Sequence, residues 1–213
     1  MYVPTAPLSA APLVPVGIAS TAPTMPTPVH TALKLRGHQL NVLDGHRASI
    51  AGRLLDDRRP GPSGDPVALQ ALGRHGWRTL ASARTTAGGR FRLSYLPRSL
   101  GSRWARLRFA GNSAERASHR LLGWLNVYRV VEASWYGGGG SLACGGSLTS
   151  STMGVANKTL PCGTLVTLRY GGRTLRVPVV DRGPYVAGRE FDLTEATSRA
   201  LGFAGVGEVW STS

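Results

Sequence analysis

From residue 48 onward, apolar and polar side chains alternate with a period of two, the spacing of strands that bury one face. In GRFRLSYL, Phe91, Leu93 and Tyr95 fall on one side and Arg90, Arg92 and Ser94 on the other. WARLRFA repeats the pattern, with Ala105, Leu107 and Phe109 against Arg106 and Arg108. ASIAGRLL, VALQAL, WRTLASAR and LLGWLNVY are further strand-like runs, separated by turn-forming stretches such as DDRRPGPSGDP. About seven short strands at this spacing predict a β-sandwich over residues 31–129.

The pattern changes after residue 130, where glycine becomes frequent and strands mix with one helical segment. RVVEASWYGGGG predicts a strand that ends in a glycine loop. LVTLRY and RTLRVPVV flank Gly171-Gly172, a pair suited to a type I′ hairpin turn. Pro178 lies inside the second arm, which marks an edge or a bulge there. TEATSRALG predicts a short helix and GVGEVW a last strand, so residues 130–213 read as a compact β-barrel crossed by one helix. Residues 1–30 are rich in Pro, Ala and Thr and read as a linker without packed structure. Their repeated prolines do not suit the apolar helix of a signal sequence, and a signal is expected upstream of this start. No run approaches the ~18 apolar residues of a membrane-spanning helix.

Charge sharpens the division. The chain carries 25 Lys/Arg and 11 Asp/Glu, a net +14. Residues 1–130 hold 18 of the bases and 5 of the acids (+13), leaving 7 and 6 (+1) for residues 131–213. The arginines alternate with apolar residues and do not cluster with stacking aromatics, which disfavours nucleic acid as a partner. Contact with anionic cell-envelope polymers is the alternative use of this charge; a solvated β-surface is the plainest. The two cysteines, Cys144 and Cys162, suit one disulfide in an exported protein. All five histidines lie before residue 120, so the C-terminal part offers no imidazole to a metal ion or to a cysteine nucleophile.

In the C-terminal part ASWYG, ANKTLPCGT and VVDRGPYVAGREFDLTEATSRALG follow one another. In this order and spacing they resemble the rare lipoprotein A (RlpA) family over about residues 132–211. The segments from HRASIAGRLL to LRFAGNS resemble bacterial Ig-like modules of surface proteins. The RlpA resemblance implies a six-stranded double-psi β-barrel with one short helix, a fold shared with expansins and a membrane-bound lytic transglycosylase. It implies cleavage of peptidoglycan glycan strands as a lytic transglycosylase, in a secreted or wall-associated protein expected to be a monomer without metal or cofactor. The alternative it implies is an expansin-like module that binds wall polysaccharide without cleaving it. The aspartate of the family's DRGP motif falls on Asp181, which makes Asp181 the expected general acid and base. The family's histidine before KTLP falls on Asn157. Its glutamate and aspartate further upstream fall on Gly146 and Thr149. A Cys144–Cys162 disulfide would then clamp the two loops that line the groove.

The residues themselves leave alternatives open. Asp181 precedes Arg182-Gly183-Pro184, so it is either an Asx-turn residue or a general acid raised by burial. Asp192 stands three residues before Glu195, which fits a helix N-cap in a capping box; by resemblance it also lines the groove as a second catalytic carboxylate. Tyr136 either stacks on a sugar or fills the core, and Trp135 alternates with it. Asn157 either orients a sugar hydroxyl or caps its loop. Thr149 and Arg182 complete the expected substrate contacts.

Overall fold

The protein's structure, a computed structural model, describes residues 27–57, 59–61 and 63–213. The predicted linker therefore lies outside the described residues, except for its last four. Of these, Val29 exchanges backbone hydrogen bonds with Ala114 and Arg116, at 2.9 and 2.8 Å.

The N-terminal half consists of two sheets. In the first, β3 (Ala48–Asp56) pairs antiparallel with β1 (Thr31–His38), β4 (Arg59–Pro60) and β7 (Arg90–Tyr95). In the second, β6 (Gly76–Arg84), β5 (Pro66–Gly73), β8 (Gly101–Phe109) and β9 (Ser118–Tyr136) run antiparallel in that order, while β2 (Asn41–Leu43) lies parallel to β9. The alternation read from the sequence has a plain cause. Phe91 and Leu93 from one sheet and Ala105, Leu107 and Phe109 from the other are all buried in one apolar cluster. Removing such side chains from water is the main term holding the two layers together.

The C-terminal half is a closed ring of six strands. Its members are the end of β9, β10 (Val155–Ala156), β11 (Leu165–Tyr170), β12 (Arg173–Asp181), β13 (Arg189–Thr194) and β14 (Gly207–Ser211). The ring runs β13-β10-β12-β11-β14-β9 and closes through β13 on β9. The β10–β12 and β13–β9 pairs are parallel and the other pairs antiparallel. Val155, Leu168, Val177, Phe191 and Leu193 fill its interior, each at most 1% exposed. The hairpin between β11 and β12 turns at Gly171 and Gly172, both at positive φ as a type I′ turn requires. Helix α1 (Glu195–Leu201) ends at Gly202 in the left-handed conformation, an ordinary C-terminal cap.

The two halves are joined without a loop. LLGWLNVY and RVVEASWY read as separate strands, yet they form one strand, β9, with Leu125 in the first core and Val131 in the second. The expected boundary at residues 129 and 130 falls inside this strand. Tyr128, fully buried at the junction, packs against Trp210 with ring centroids 5.8 Å apart and donates to Asn41 Oδ1 at 2.8 Å.

Gly154, just before β10, ties the barrel to the helix. It donates to Thr197 Oγ1 at 2.9 Å, and its carbonyl accepts from the Thr194 amide. A Cβ at this position would lie 2.4 Å from Val180 Cγ2 and 3.1 Å from the Pro178 carbonyl. Val180 is stiff at χ1 and the carbonyl is backbone, so neither yields easily. Gly154→Ala is expected to cost about 1–3 kcal/mol, the usual range for overpacking. Urea unfolding checks it, and a loss under about 0.5 kcal/mol would show that β10 can shift freely.

Candidate active site

The strand register of the barrel lines up four residues on adjacent strands. Ala156 of β10 is opposite Asp181 on one side and Asp192 on the other. Asp192 of β13 is in turn opposite Ser134 of β9. With strands about 4.8 Å apart, the two aspartates stand roughly 10 Å apart along the row, measured on the backbone. The charge of Asp181 reaches Asp192.

Each carboxylate is held differently. Asp181 Oδ1 accepts two backbone N–H groups, from Ala143 at 2.9 Å and from Arg182 at 2.8 Å. Asp192 Oδ1 accepts from the Ser134 hydroxyl at 2.7 Å, and Arg189 Nη1 donates to the same Ser134 Oγ at 3.3 Å. Burial pushes the Asp192 carboxyl above its ordinary value; Ser134 and Arg189 oppose this, and the Asp181 charge adds to it. Tyr136 lies beside both. Its hydroxyl is buried, and its pKa is raised by burial first, then by Asp181 through charge and hydrogen bonding, and last by Asp192. The phenol therefore stays protonated, a donor facing the carboxylates.

The helix-cap expectation for Asp192 does not hold. Asp192 is a strand residue, and the N-cap is Thr194, whose side chain accepts from the Thr197 amide. The cause is pairing. β13 stays extended along β9 as far as Thr194, opposite Tyr136, so the helix cannot begin earlier. Freed from capping, the Asp192 carboxyl is left to the site.

Other expected contacts resolve less favourably for a sugar. Asn157 is 4% exposed, its carboxamide oxygen accepts from Thr159 and Leu160 amides, and its nitrogen donates to the Glu190 carbonyl. Of its two readings, the geometry has the loop cap. Arg182 points away from Asp181 and braces the same loop, donating to the Asn157 and Leu160 carbonyls and to Cys162 Sγ. Thr149 is exposed in a Ser/Thr turn, with its hydroxyl on Ser151 and Thr152. Tyr136 turns inward and Trp135 outward, at 45% exposure, so the aromatic face open to a ligand is that of Trp135. Cys144 and Cys162 are disulfide-bonded, and Cys144 also donates to the Val180 carbonyl, which docks the Gly140–Leu148 turn onto the end of β12. Among the described residues no three His, Cys, Asp or Glu side chains gather to hold a metal ion.

Comparison with known proteins bears on this arrangement. The family model described as "Lytic transglycolase" matches residues 128–210. The "Probable endolytic peptidoglycan transglycosylase RlpA" of Aquifex aeolicus is 44% identical over 75 residues, covering 33% of this chain and 33% of that protein. The "Endolytic peptidoglycan transglycosylase RlpA" of Pseudomonas aeruginosa (strain UCBPP-PA14) is 38% identical over 87 residues, covering 38% of this chain and 26% of that protein. Residues 128–210 belong to the RlpA-like double-psi β-barrel family. The chain thus spans about a third or less of the length of these relatives. Among solved structures, Streptomyces papain inhibitor (SPI) is similar at 30% identity and a TM-score of 0.33, covering 39% of this chain and 91% of that one.

Within the RlpA-like barrel, Gly146 is exposed, at φ +82°. Open space surrounds the Cβ it lacks, but a glutamate there would take a left-handed backbone that side chains resist. Ser134 and Arg189 escaped sequence reading because their link to Asp192 depends on the parallel pairing of β9 with β13, across 55 and more residues of chain.

The raised Asp192 carboxyl makes a stability prediction. A folded-state value above the unfolded one means that its contribution is full below the unfolded value, about pH 4, and is lost as pH rises through the folded value. Asn at this position cannot ionise. Asp192→Asn is therefore expected to melt higher than the parent at neutral pH and to lose that advantage below about pH 4. Thermal unfolding across pH measures it; a gap that does not vary with pH would reject the assignment.

Proposed function

We propose that the protein is a lytic transglycosylase of peptidoglycan glycan strands, working through the Asp181–Asp192 pair. The observation that carries the reading is that one strand row holds two carboxylates in opposed surroundings, inside a barrel of the RlpA-like family. Such a contrast in environment separates acid from base.

Asp192, kept protonated to higher pH, donates its proton to the glycosidic oxygen as the bond from that oxygen to the sugar's anomeric carbon breaks. Asp181, whose Oδ1 two backbone N–H groups hold in place, takes the proton of the sugar's own hydroxyl as that oxygen closes on the anomeric carbon. The product is an anhydro-sugar end, and no water is consumed. This moves the acid role, placed on Asp181 by sequence resemblance, to Asp192, and leaves Asp181 the base. The Tyr136 hydroxyl supplies a hydrogen bond to a ligand oxygen or to a shifting carboxylate.

A second reading has its own support. Gly146 has no side chain and the Asn157 carboxamide is spent on its loop, so a polysaccharide-binding module without cleavage fits those two positions. Incubating the protein with purified glycan strands decides between them. Release of anhydro-muropeptides supports the enzyme; retention on insoluble peptidoglycan without release, beside an active relative, supports the binding module. The remaining features of the reading are an Ig-like N-terminal spacer, a monomer, and an exported or wall-associated protein, the last favoured by the disulfide.

A further inference from the structure

The N-terminal half holds a cleft of about 770 Å³ that none of the chemistry above uses. One wall is the tip of the β5–β6 hairpin, with Arg74, His75 and Arg78; the other is the segment after β7, with Arg98, and Arg103 of β8 closes the end. No Asp or Glu lines it. Arg103 donates to Ser99 Oγ at 3.0 Å, while the side chains of Arg74, Arg78 and Arg98 make no hydrogen bond or ion pair with any described residue. The two ion pairs among the described residues, Arg129–Glu190 and Arg199–Glu195, lie outside the cleft. Tyr95, part of the lining, has its pKa raised by burial first, lowered by Arg103, and raised by Asp44.

Four guanidinium groups without counter-charge form a multivalent anion site, since each offers a planar fork matched to phosphate oxygens. The rest of the lining narrows the ligand. Leu80 and Leu96 give aliphatic contact, whereas Tyr95, the one Phe, Tyr or Trp of the lining, is 7% exposed and presents no face for a base to stack on. We propose that this cleft binds a phosphodiester-linked polyol polymer, its phosphates on Arg74, Arg78, Arg98 and Arg103. That the natural polymer belongs to the cell envelope rests on the glycan reading above; phosphate recognition by the cleft does not.

The test uses the full chain and fluorescent poly(glycerol phosphate), followed by anisotropy at about 100 mM salt, where charges beyond about 10 Å are screened. Replacing Arg74, Arg78 and Arg98 by Gln together is expected to weaken binding at least about tenfold and to flatten the salt dependence by about two charges. Arg36, Arg90 and Arg92, which line a separate cavity on the first sheet, are changed to Gln as a control with the same loss of charge; a loss under about threefold is expected. Equal losses in the two variants would reduce the effect to net charge and overturn the proposal. So would absence of binding, or tighter binding of a single-stranded oligonucleotide or of polygalacturonate than of the polyol phosphate. The assay contains no glycan strand, so it succeeds or fails independently of whether the barrel cleaves.

Discussion

Asp192→Asn is expected to lower the rate of glycan cleavage by about two to four orders of magnitude, the share general acid–base catalysis commonly supplies. The protein should stay folded and keep its affinity for the glycan. The carboxamide oxygen can still accept from Ser134, so the strand row is undisturbed, but the side chain no longer holds a proton to give. Asp181→Asn should cost a similar factor for the complementary reason: its oxygen still accepts the Ala143 and Arg182 amides, yet it cannot take a proton. The two variants differ in their pH profiles. The parent should show a bell whose apparent values belong to the coupled pair. Loss of the alkaline limb in Asp192→Asn and of the acid limb in Asp181→Asn would assign the roles. If Asp192→Asn retained more than about a tenth of the rate while Asp181→Asn was inactive, one carboxyl would serve as both acid and base, and that carboxyl would be Asp181.

The extent to which this site was legible in the sequence follows from the range of each signal. The β11–β12 hairpin announces itself through Gly171-Gly172, and the helix through its spacing and the glycine after it, because both are local. β10 has two residues, too few for any period, although it carries the position between the aspartates. Asp192 and Glu195 match a capping box as text, and Thr194 wins the cap only because β13 remains paired with β9. Arg182 stands beside Asp181 in sequence and turns from it in space, because the Asn157–Cys162 loop offers two carbonyls. What the sequence left open was register between strands far apart in the chain, which decides which polar groups meet.

The disulfide links the fold to the chemistry. Changing Cys144 and Cys162 to Ser together is expected to cost about 3 kcal/mol, the chain-entropy value for closing a loop of this length. For a chain of this size that corresponds to a fall of about 6–12 °C in melting temperature. Activity should fall as well, for a separate reason. Ala143, next to Cys144, supplies one of the two N–H groups on Asp181, and the turn that carries it is fixed to the loop before β11 by the disulfide and to β12 by one backbone hydrogen bond. A hydrogen bond to a charged group contributes about 1.5–3 kcal/mol, so freeing that turn should loosen the hold on the Asp181 carboxylate and slow cleavage about tenfold or more. Calorimetry and the cleavage rate of the double variant, measured well below its melting temperature, separate the two effects. A lower melting temperature with an unchanged rate would leave the disulfide a purely structural link; a slower rate in the fully folded variant would show that it also positions the base.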